Sequence, residues 1–259
     1  MLSLYVLVSI LYLEILIRGF FIDMNIIKEI KELIEGLEPE QVLSVLASKF
    51  SEDTVFSTSF GMEDQVISHQ IFSNNLPIQV FTLDTGRLFP ETYSVWSRTL
   101  SRYNKPIFTF YPNHERIEQL VGQKGPNSFY ESVENRIECC GIRKVEPLNR
   151  ALLGKAIWVT GIRQDQSTNR KTMDWVEWDE VHQLVKVHPL FYWSLDDVKE
   201  YIKAYNIPYN SLHDKGFPSI GCAPCTRAVP IGGDIRDGRW WWEDQSKKEC
   251  GLHITSSTK

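Results

Sequence analysis

Apolar residues along most of the chain recur alternately at a strand-like and a helix-like spacing. Strand-like runs lie at 54–60, 77–84, 106–111, 156–162 and 182–190, and helical runs lie at 62–72, 91–103, 114–122, 141–154 and 194–206. Strands that alternate with crossover helices imply a parallel sheet with helices on its faces. We therefore predict an α/β fold with a mostly parallel sheet flanked by helices. After Asn210 the pattern gives way to an irregular region rich in Gly, Pro, Cys and Trp.

Two of the predicted helices carry specific local signals. Ser194 followed by Asp197 is a variant of the capping box, which predicts a helix start there, and Pro208 ends that helix. The segment 141–154 has helical spacing in spite of Pro147, a residue that removes a backbone donor. We predict a helix at both places.

The first 22 residues are strongly apolar, and they have three possible interpretations: a signal peptide, a spanning helix or an extension outside the working protein. As a signal peptide they lack a positive start and a small-residue cleavage site, and as a spanning helix they carry Glu14 and Arg18. We favour the third interpretation, in which Met24 begins the working protein. The predicted units are then an apolar extension at 1–23 outside the native protein, a segment of two helices at 24–50, the α/β domain at 51–245 and a mobile C-terminal tail at 246–259.

The charge balance narrows the class of partner. The chain has 28 Lys and Arg against 33 Asp and Glu in 259 residues, a net charge of −5. Such a mean field does not attract nucleic acid or an anionic membrane, so we expect neither as a partner. Any anionic ligand must be held by a local cluster of bases. The candidates are Arg143, Lys144, Arg163, Arg236 and Arg239, whose forks and ammonium suit phosphate and sulfate oxygens, although each one alone is more often a solvated surface charge.

The five cysteines fit a reducing compartment better than a secreted disulfide framework, because their number is odd and the chain can bury a sufficient core. We therefore expect the cytoplasm. Four cysteines form two sequence pairs, Cys139-Cys140 and Cys222-x-x-Cys225, and this pattern predicts a four-thiolate site. Vicinal cysteines are awkward for one tetrahedral zinc but can reach different irons, so iron–sulfur is favoured, with zinc and then unliganded thiols as alternatives.

The fifth cysteine stands alone near the C-terminus. Cys250 lies in the segment KKECGLH (247–253), where two lysines and His253 would lower the thiol pKa. A thiolate on a terminal segment can enter and leave a site, which makes Cys250 a candidate nucleophile. The alternative is an incidental cysteine on a frayed end.

Two loops follow predicted neighbouring strands at the edge where ligands bind in open α/β sheets. The first contains Ser57, Ser59, Gly61, Glu63 and Asp64, and the second contains Leu83 and Thr85. Hydroxyls and free amides there could hold a phosphate or sulfate, although no Walker lysine follows. Taken alone, the first loop is better explained by an ordinary helix start with two favourable carboxylates. Two such loops side by side favour a nucleotide site.

From about Asp53 to His253 the sequence resembles the assimilatory adenylyl-sulfate (APS) reductases, the iron–sulfur branch of the family that also contains the phosphoadenylyl-sulfate (PAPS) reductases. The matching segments are STSFGMED (57–64), LDTGRLFPETY (83–93), CCGIRKVEPL (139–148), TGIRQDQS (160–167), GCAPCTR (221–227), GDIRDGRWWWE (233–243) and KKECGLH (247–253). Taken jointly and in this order, the segments are highly specific.

The resemblance implies a PP-loop-type α/β fold and a thioredoxin-dependent reduction of adenylyl sulfate. The nucleophile would be Cys250, with His253 as a supporting residue, and the products would be AMP and sulfite. Thioredoxin or a glutaredoxin-like dithiol would be the reductant, and a homo-oligomer stays open. The resemblance further implies a redox-inert [4Fe–4S] cluster on Cys139, Cys140, Cys222 and Cys225. It implies substrate binding by Ser57, Ser59, Gly61, Glu63, Asp64, Leu83, Thr85, Arg143, Lys144, Gly161, Arg163, Arg236 and Arg239.

Three rivals to this interpretation differ in substrate or in class. The first is a PAPS or dual APS/PAPS reductase; we prefer adenylyl sulfate because a 3′-phosphate near Glu63 and Asp64 would cost Coulomb energy. The second is an ATP-using thiolation enzyme of the same superfamily, which the missing Ser-Gly-Gly-x-Asp-Ser pattern disfavours. The third is a zinc-stapled nucleotide-binding module without catalysis.

Overall fold

The computed structural model describes residues 25–166, 173–230 and 232–244. Its helices are α1 (25–34), α2 (Pro39–Lys49), α3 (Met62–Ser73), α4 (Pro90–Tyr103), α5 (His114–Lys124), α6 (Val133–Cys140), α7 (Glu146–Leu152) and α8 (Leu195–Ala204). Its strands are β1 (Thr54–Ser57), β2 (Gln79–Leu83), β3 (Phe108–Phe110), β4 (Ile157–Val159), β5 (Val176–Asp179) and β6 (Leu184–Val187). The predicted extension at 1–23 and the tail at 246–259 lie outside the described residues.

The six strands form one sheet in the order β3-β2-β1-β4-β6-β5. Every neighbouring pair is parallel except β5 with β6, which is antiparallel. The central strand β1 pairs with β2 through Val55 and Gln79 and with β4 through Val55 and Trp158. The prediction of a mostly parallel α/β sheet is confirmed.

Apolar side chains pack on both faces of the sheet. The larger cluster includes Phe56, Val159 and Val187 from the strands and Val66 and Ile67 from α3. A smaller cluster on the other face joins strand residues to α7; its members are Val55, Phe81, Leu148, Ala151, Leu152, Trp158 and Leu184. Because both faces of the sheet are covered, it is a rigid scaffold that positions the loops at its carboxyl edge.

Several local predictions are confirmed by the observed elements. Ser194 and Asp197 form a reciprocal capping box, with Asp197 N donating to Ser194 Oγ at 3.1 Å and Ser194 N donating to Asp197 Oδ2 at 2.7 Å. The break between α1 and α2 and the irregular region after Asn210 are also as expected. Among the described helices, none is long and apolar enough to cross a membrane.

Other elements differ from the sequence prediction. Strands β1 and β4 end earlier than the runs 54–60 and 156–162 suggested, because the chain turns into the loops that form the site. The predicted helix at 141–154 is an α-helix only from Glu146 and opens with a π-helical segment, Gly141–Val145. Pro147 cannot donate to the preceding turn, so a widened turn before it is physically reasonable. Helix α6 and strand β5 were not predicted.

Candidate active site

A cavity of about 580 Å³ opens at the carboxyl ends of β1, β2 and β4. All of the predicted substrate-binding residues except Arg143 line it, namely Ser57, Ser59, Gly61, Glu63, Asp64, Leu83, Thr85, Lys144, Gly161, Arg163, Arg236 and Arg239. Its volume suits a ligand the size of a nucleotide. Parallel strands bring their carboxyl ends to one edge, which explains why residues so far apart in sequence meet.

The loop after β1 is fixed by a buried carboxyl group rather than by an ordinary helix cap. Ser59 donates to Asp64 Oδ2 from its backbone N at 2.6 Å and from its Oγ at 2.7 Å. Phe60 has the left-handed backbone conformation, with φ 62°, and Gly61 is the N-cap of α3, with no side-chain cap. Burial raises the pKa of Asp64 to about 6, against the lowering effect of the Ser59 hydrogen bonds.

Arg163, which lines the cavity as predicted, also pairs with a carboxylate of this chain. Its Nε donates to Glu63 Oε1 at 2.8 Å, and its Nη1 donates to the Trp193 carbonyl at 3.2 Å. The Arg163 side chain is only 2% exposed, so this is a buried ion pair between the loop after β4 and the start of α3. Arg163 therefore shapes one wall of the cavity and is neutralised by Glu63.

The loop after β2 links the cavity to the cysteines. Thr85 Oγ1 lies 3.3 Å from Cys222 Sγ, and the Thr85 carbonyl accepts a 2.6 Å hydrogen bond from Arg143 Nη1. The buried Asp84 accepts from Tyr93 OH at 2.9 Å and from Gly86 N at 2.8 Å, which fixes the turn. Burial and this hydrogen bond raise the pKa of Tyr93 to about 12, so its hydroxyl stays a donor. Thr85 thus lies both on the cavity and beside the cysteine cleft.

The four predicted metal ligands line a single cleft beside the cavity. Cys139 and Cys140 end α6, Cys222 precedes a 3₁₀ turn that ends at Cys225, and all four are free thiols. The cleft is also lined by cations, which are Arg87, Arg136, Arg143 and Lys144. Lys144 lines the cavity as well. The structure therefore brings the two cysteine pairs together across the fold, between α6 and the irregular C-terminal region.

The chemistry of this donor set fits a thiolate-bound group. Four soft sulfur donors surrounded by cations suit an iron–sulfur cluster, because the cations offset the charge of the ligated thiolates. Arg143 Nε is buried without a hydrogen-bond partner among the described residues. Burial raises the pKa of Cys225 to about 12 and also raises that of Cys139, so metal binding would release protons. In the described ranges no three His, Cys, Asp or Glu side chains are close enough to hold one metal ion, so the four thiols share a cleft without forming a site for a single ion.

Two arginines of the C-terminal region reach the cavity from the side nearest the cysteines. The guanidinium groups of Arg236 and Arg239 lie 5.8 and 4.8 Å from the centre of the Trp240 ring. Arg239 is buried, and its Nε has no hydrogen-bond partner in the part of the chain that the structure describes. Its guanidinium lies directly over Gly221, where a Cβ atom would overlap it. With Lys144, these side chains add three cations to the lining of the cavity.

Sequence reasoning missed several residues that build the site. Asp84 and Tyr93 lie within a segment that carried the family resemblance, which was the available signal. His213 lines the cavity, with Nδ1 2.9 Å from the Phe217 carbonyl, and Arg136 binds Glu243; no local pattern marks either contact. The predicted nucleophile Cys250 and its supporting residue His253 lie outside the described residues.

Comparison with known proteins identifies the family. The phosphoadenosine phosphosulfate reductase domain family matches residues 53–228. A curated adenosine 5′-phosphosulfate reductase from Sinorhizobium fredii is 46% identical over 230 residues, which is 89% of this chain and 91% of that protein. One from Neisseria meningitidis serogroup B is 50% identical over 202 residues, 78% of this chain and 82% of that protein.

Solved structures with similar folds are consistent with this family assignment. The phosphate complex of PAPS reductase from Candida auris superposes with a TM-score of 0.67 at 29% identity, covering 78% of this chain and 96% of that one. Candida glabrata FMN adenylyltransferase with FAD and pyrophosphate has a TM-score of 0.51 at 14% identity, over 89% of this chain and 80% of that one, and shares the PP-loop-like fold alone. By its family match and its curated relatives, this chain belongs to the phosphoadenosine phosphosulfate reductase domain family, among the adenosine 5′-phosphosulfate reductases.

Proposed function

We propose that the chain reduces adenylyl sulfate to sulfite and AMP, with Cys250 as the nucleophile. The observation that carries the proposal is a nucleotide-sized cavity lined by Lys144, Arg236 and Arg239, which shares Lys144 with a cleft of four cysteines. The family membership supports the same reaction.

The proposed chemistry is two successive displacements at sulfur. The Cys250 thiolate attacks the sulfur of adenylyl sulfate, a bond forms between the two sulfurs, and the sulfur–oxygen bond to AMP breaks with its electron pair leaving on AMP. A thiolate of thioredoxin or a glutaredoxin-like protein then attacks Sγ of Cys250, and sulfite leaves with the electron pair. The second thiol of that reductant resolves the mixed disulfide, so the dithiol is oxidised and Cys250 is restored.

The bases that line the cavity have a defined task in the first displacement. Negative charge develops on the AMP phosphate as the sulfur–oxygen bond breaks, and guanidinium groups already in place stabilise that charge without reorganising. Arg239 is the best placed for this task, because its buried Nε has no partner among the described residues. Arg236 and Lys144 line the same cavity, while Arg143 holds the Thr85 carbonyl and supports the wall from the cysteine side.

We further propose that Cys139, Cys140, Cys222 and Cys225 hold a [4Fe–4S] cluster. Such a cluster, when bound, supplies a fixed charge distribution beside Lys144 and a covalent link between α6 and the C-terminal region, without a change of its own redox state. Burial raises the pKa of Cys139 and Cys225, so these two thiols are protonated until a metal binds them. A brown, iron-loaded protein purified without oxygen is the expected result, and a colourless zinc-loaded protein would contradict this part.

Adenylyl sulfate is the proposed substrate and phosphoadenylyl sulfate is the second candidate. The named function of the curated relatives supports the first, and the Candida auris structure, which is 29% identical, favours the second. Glu63 and Asp64 at the start of α3 add negative charge near the nucleotide loops, although Arg163 neutralises Glu63. A higher kcat/KM for the 3′-phosphorylated nucleotide would overturn this choice. Since the odd cysteine count suits a reducing compartment, we propose the cytoplasm as the location.

The variant Cys250→Ser tests the proposed function. We expect it to bind AMP with unchanged affinity and to keep its iron, but to form no sulfite from adenylyl sulfate with thioredoxin, because only the covalent step is lost. Iron content and AMP affinity serve as controls for folding. Sulfite formation by this variant at the wild-type rate would remove Cys250 from the mechanism.

A further inference from the structure

The indole of Trp158 holds the hydroxyl group of Ser57 in the lining of the cavity. Trp158 Nε1 donates to Ser57 Oγ at 2.8 Å, across 101 residues of sequence. Both residues line the cavity, although Trp158 is only 2% exposed to solvent. Trp158 has no part in the proposed chemistry, so its contact with a predicted substrate-binding residue calls for a reason.

The register of the sheet brings the two side chains together. Val55 on β1 is the parallel partner of Trp158 on β4, and both belong to the smaller apolar cluster. Side chains two positions apart on a strand share a face, so Ser57 projects to the same face as Val55. The indole therefore reaches along this face to the hydroxyl group at the carboxyl end of β1.

The indole ring is held in place from its other side. Lys186 on β6 is the parallel partner of Trp158, and its Nζ lies 5.2 Å from the centre of the indole ring. This ammonium is buried and lies 2.7 Å from Asp179 Oδ2, and the His182 ring meets the indole edge-on at 5.8 Å. Attraction between a cation and an aromatic face fixes the ring. The direction of the Trp158 N–H is thus set by the fold.

This contact leaves the proton of Ser57 for a ligand. An indole N–H only donates, whereas a serine hydroxyl carries one proton and two lone pairs. Trp158 occupies one lone pair, and Ser57 Oγ has no second hydrogen-bond partner among the described residues. A hydroxyl that accepts a hydrogen bond is also a stronger donor. Ser57 therefore presents a donor at a fixed position in the cavity.

The surroundings of this hydroxyl suit a nucleoside better than a phosphate or sulfate. Leu83, Leu148 and Trp158 line the cavity and pack together in the smaller apolar cluster. A charged group placed against such a surface loses its hydration, whereas a flat base packs on it. The ring nitrogens of a base and the oxygens of a ribose are acceptors that the Ser57 proton can satisfy.

We propose that Trp158 is a positioning residue that fixes Ser57 Oγ as a hydrogen-bond donor to the nucleoside part of the substrate. The proposal rests on the proposed function, because it takes an adenine nucleotide as the ligand. It assigns Trp158 an effect that passes through Ser57 alone, which a merely structural residue would not show.

The test measures the affinity of the full-length, iron-loaded protein for AMP in Trp158→Phe, in Ser57→Ala and in the double variant. We expect each single substitution to raise the dissociation constant about three- to tenfold, because each removes or misdirects the same hydrogen bond. The double variant is expected to lie within about twofold of Ser57→Ala, since nothing is left for the indole to position. The affinity for adenosine is expected to fall by the same factors.

Trp178→Phe is the matched control. Trp178 on β5 packs against the larger apolar cluster, and its Nε1 is buried without a hydrogen-bond partner in the described part of the chain. The same change of ring there removes no hydrogen bond, so the AMP dissociation constant is expected to stay within about twofold. Turnover adds a second measurement: in Trp158→Phe the KM for adenylyl sulfate is expected to rise while kcat changes by less than about twofold.

A further loss in the double variant, as large as that of Trp158→Phe alone, would overturn the proposal, because the indole would then act by some route other than Ser57. A loss of AMP affinity without a loss of adenosine affinity would contradict the contact with the nucleoside. A wild-type protein that binds no AMP would instead contradict the proposed function.

NMR of the eight tryptophan indole N–H groups carries the test if Trp158→Phe fails to fold. We expect one indole resonance to shift in Ser57→Ala, and the same resonance to shift when AMP is added to the wild-type protein, because the three groups form one hydrogen-bonded chain. An indole resonance that responds to Ser57→Ala but not to AMP would overturn the proposal.

Discussion

Gly161 packs directly against the buried carboxyl group of Asp64. A Cβ atom at residue 161 would overlap Oδ1 of Asp64 and lie 3.1 Å from the Cβ atom of Glu63. Because two hydrogen bonds from Ser59 hold the Asp64 carboxyl, it cannot withdraw freely. The close approach of the loops after β1 and β4 therefore requires a residue without a Cβ atom at position 161.

The variant Gly161→Ala tests this close approach. We expect a loss of about 1–3 kcal/mol in the free energy of unfolding and weaker AMP binding, measured by urea denaturation and calorimetric titration. Gly122→Ala in α5 is the control, since a Cβ there meets open space and the substitution favours a helix by about 0.5–1 kcal/mol. Equal stability and equal AMP affinity in both variants would contradict the account.

Gly221 gives the Arg239 guanidinium its place in the lining of the cavity. A Cβ atom at residue 221 would lie 2.6 Å from the guanidinium carbon, so Gly221→Ala must displace the side chain. We expect the affinity for adenylyl sulfate to fall about tenfold or more, while the affinity for adenosine, which carries no phosphate or sulfate, changes little. An equal loss for both ligands would show that the substitution disturbs the fold and not the anion site.

The ion pair between Glu63 and Arg163 gives a stability prediction. Glu63→Gln removes the carboxylate that is hydrogen-bonded to the Arg163 guanidinium, whose side chain is 2% exposed. We expect the free energy of unfolding to fall by about 3–5 kcal/mol. The control is Glu146→Gln, which breaks the solvent-exposed pair with Arg150 and is expected to cost less than about 0.5 kcal/mol. Similar losses in the two variants would refute the prediction.

Asp64 makes the stability of the fold depend on pH. Its pKa is raised to about 6 in the folded protein, so the folded state holds the proton more tightly than the unfolded state. The resulting stabilisation is complete below about pH 4 and is lost as the pH rises through about 6, a change of up to about 3 kcal/mol.

The variant Asp64→Asn has no proton to lose at this position, and its amide oxygen can still accept from Ser59. We expect its free energy of unfolding, relative to the wild type, to rise between pH 4 and pH 8 by up to about 3 kcal/mol. Urea denaturation across this range measures the difference. A constant difference at all pH values would mean that Asp64 does not titrate as proposed.

Features set by neighbouring residues could be predicted from the sequence, and features set by distant charged contacts could not. The capping box of Ser194 and Asp197 is local and was predicted. Helix α6 escaped prediction because its one buried residue is charged: Arg136 faces inward, while Ile137 is 56% exposed. Hydrophobic periodicity contains no signal for a helix that buries a guanidinium.

The site shows the same division. Chain order and sheet topology placed the loops after β1 and β2 side by side, and the spacing of the cysteines suggested one shared site. The ion-pair partner of Arg163 could not be read in this way, since Glu63 lies 100 residues away in the sequence. The sequence identified Arg163 as a base near the site, but only the fold identified Glu63 as the residue that it contacts.

Covalent attack by Cys250 is detected by mass analysis of the tryptic peptide that contains this residue, after incubation with adenylyl sulfate in the absence of any thiol reductant. We expect one added sulfonate on Cys250 per chain together with one released AMP, and removal of the sulfonate as sulfite when reduced thioredoxin is added. Release of AMP and sulfite with an unmodified Cys250, or an adduct on another cysteine, would contradict this mechanism.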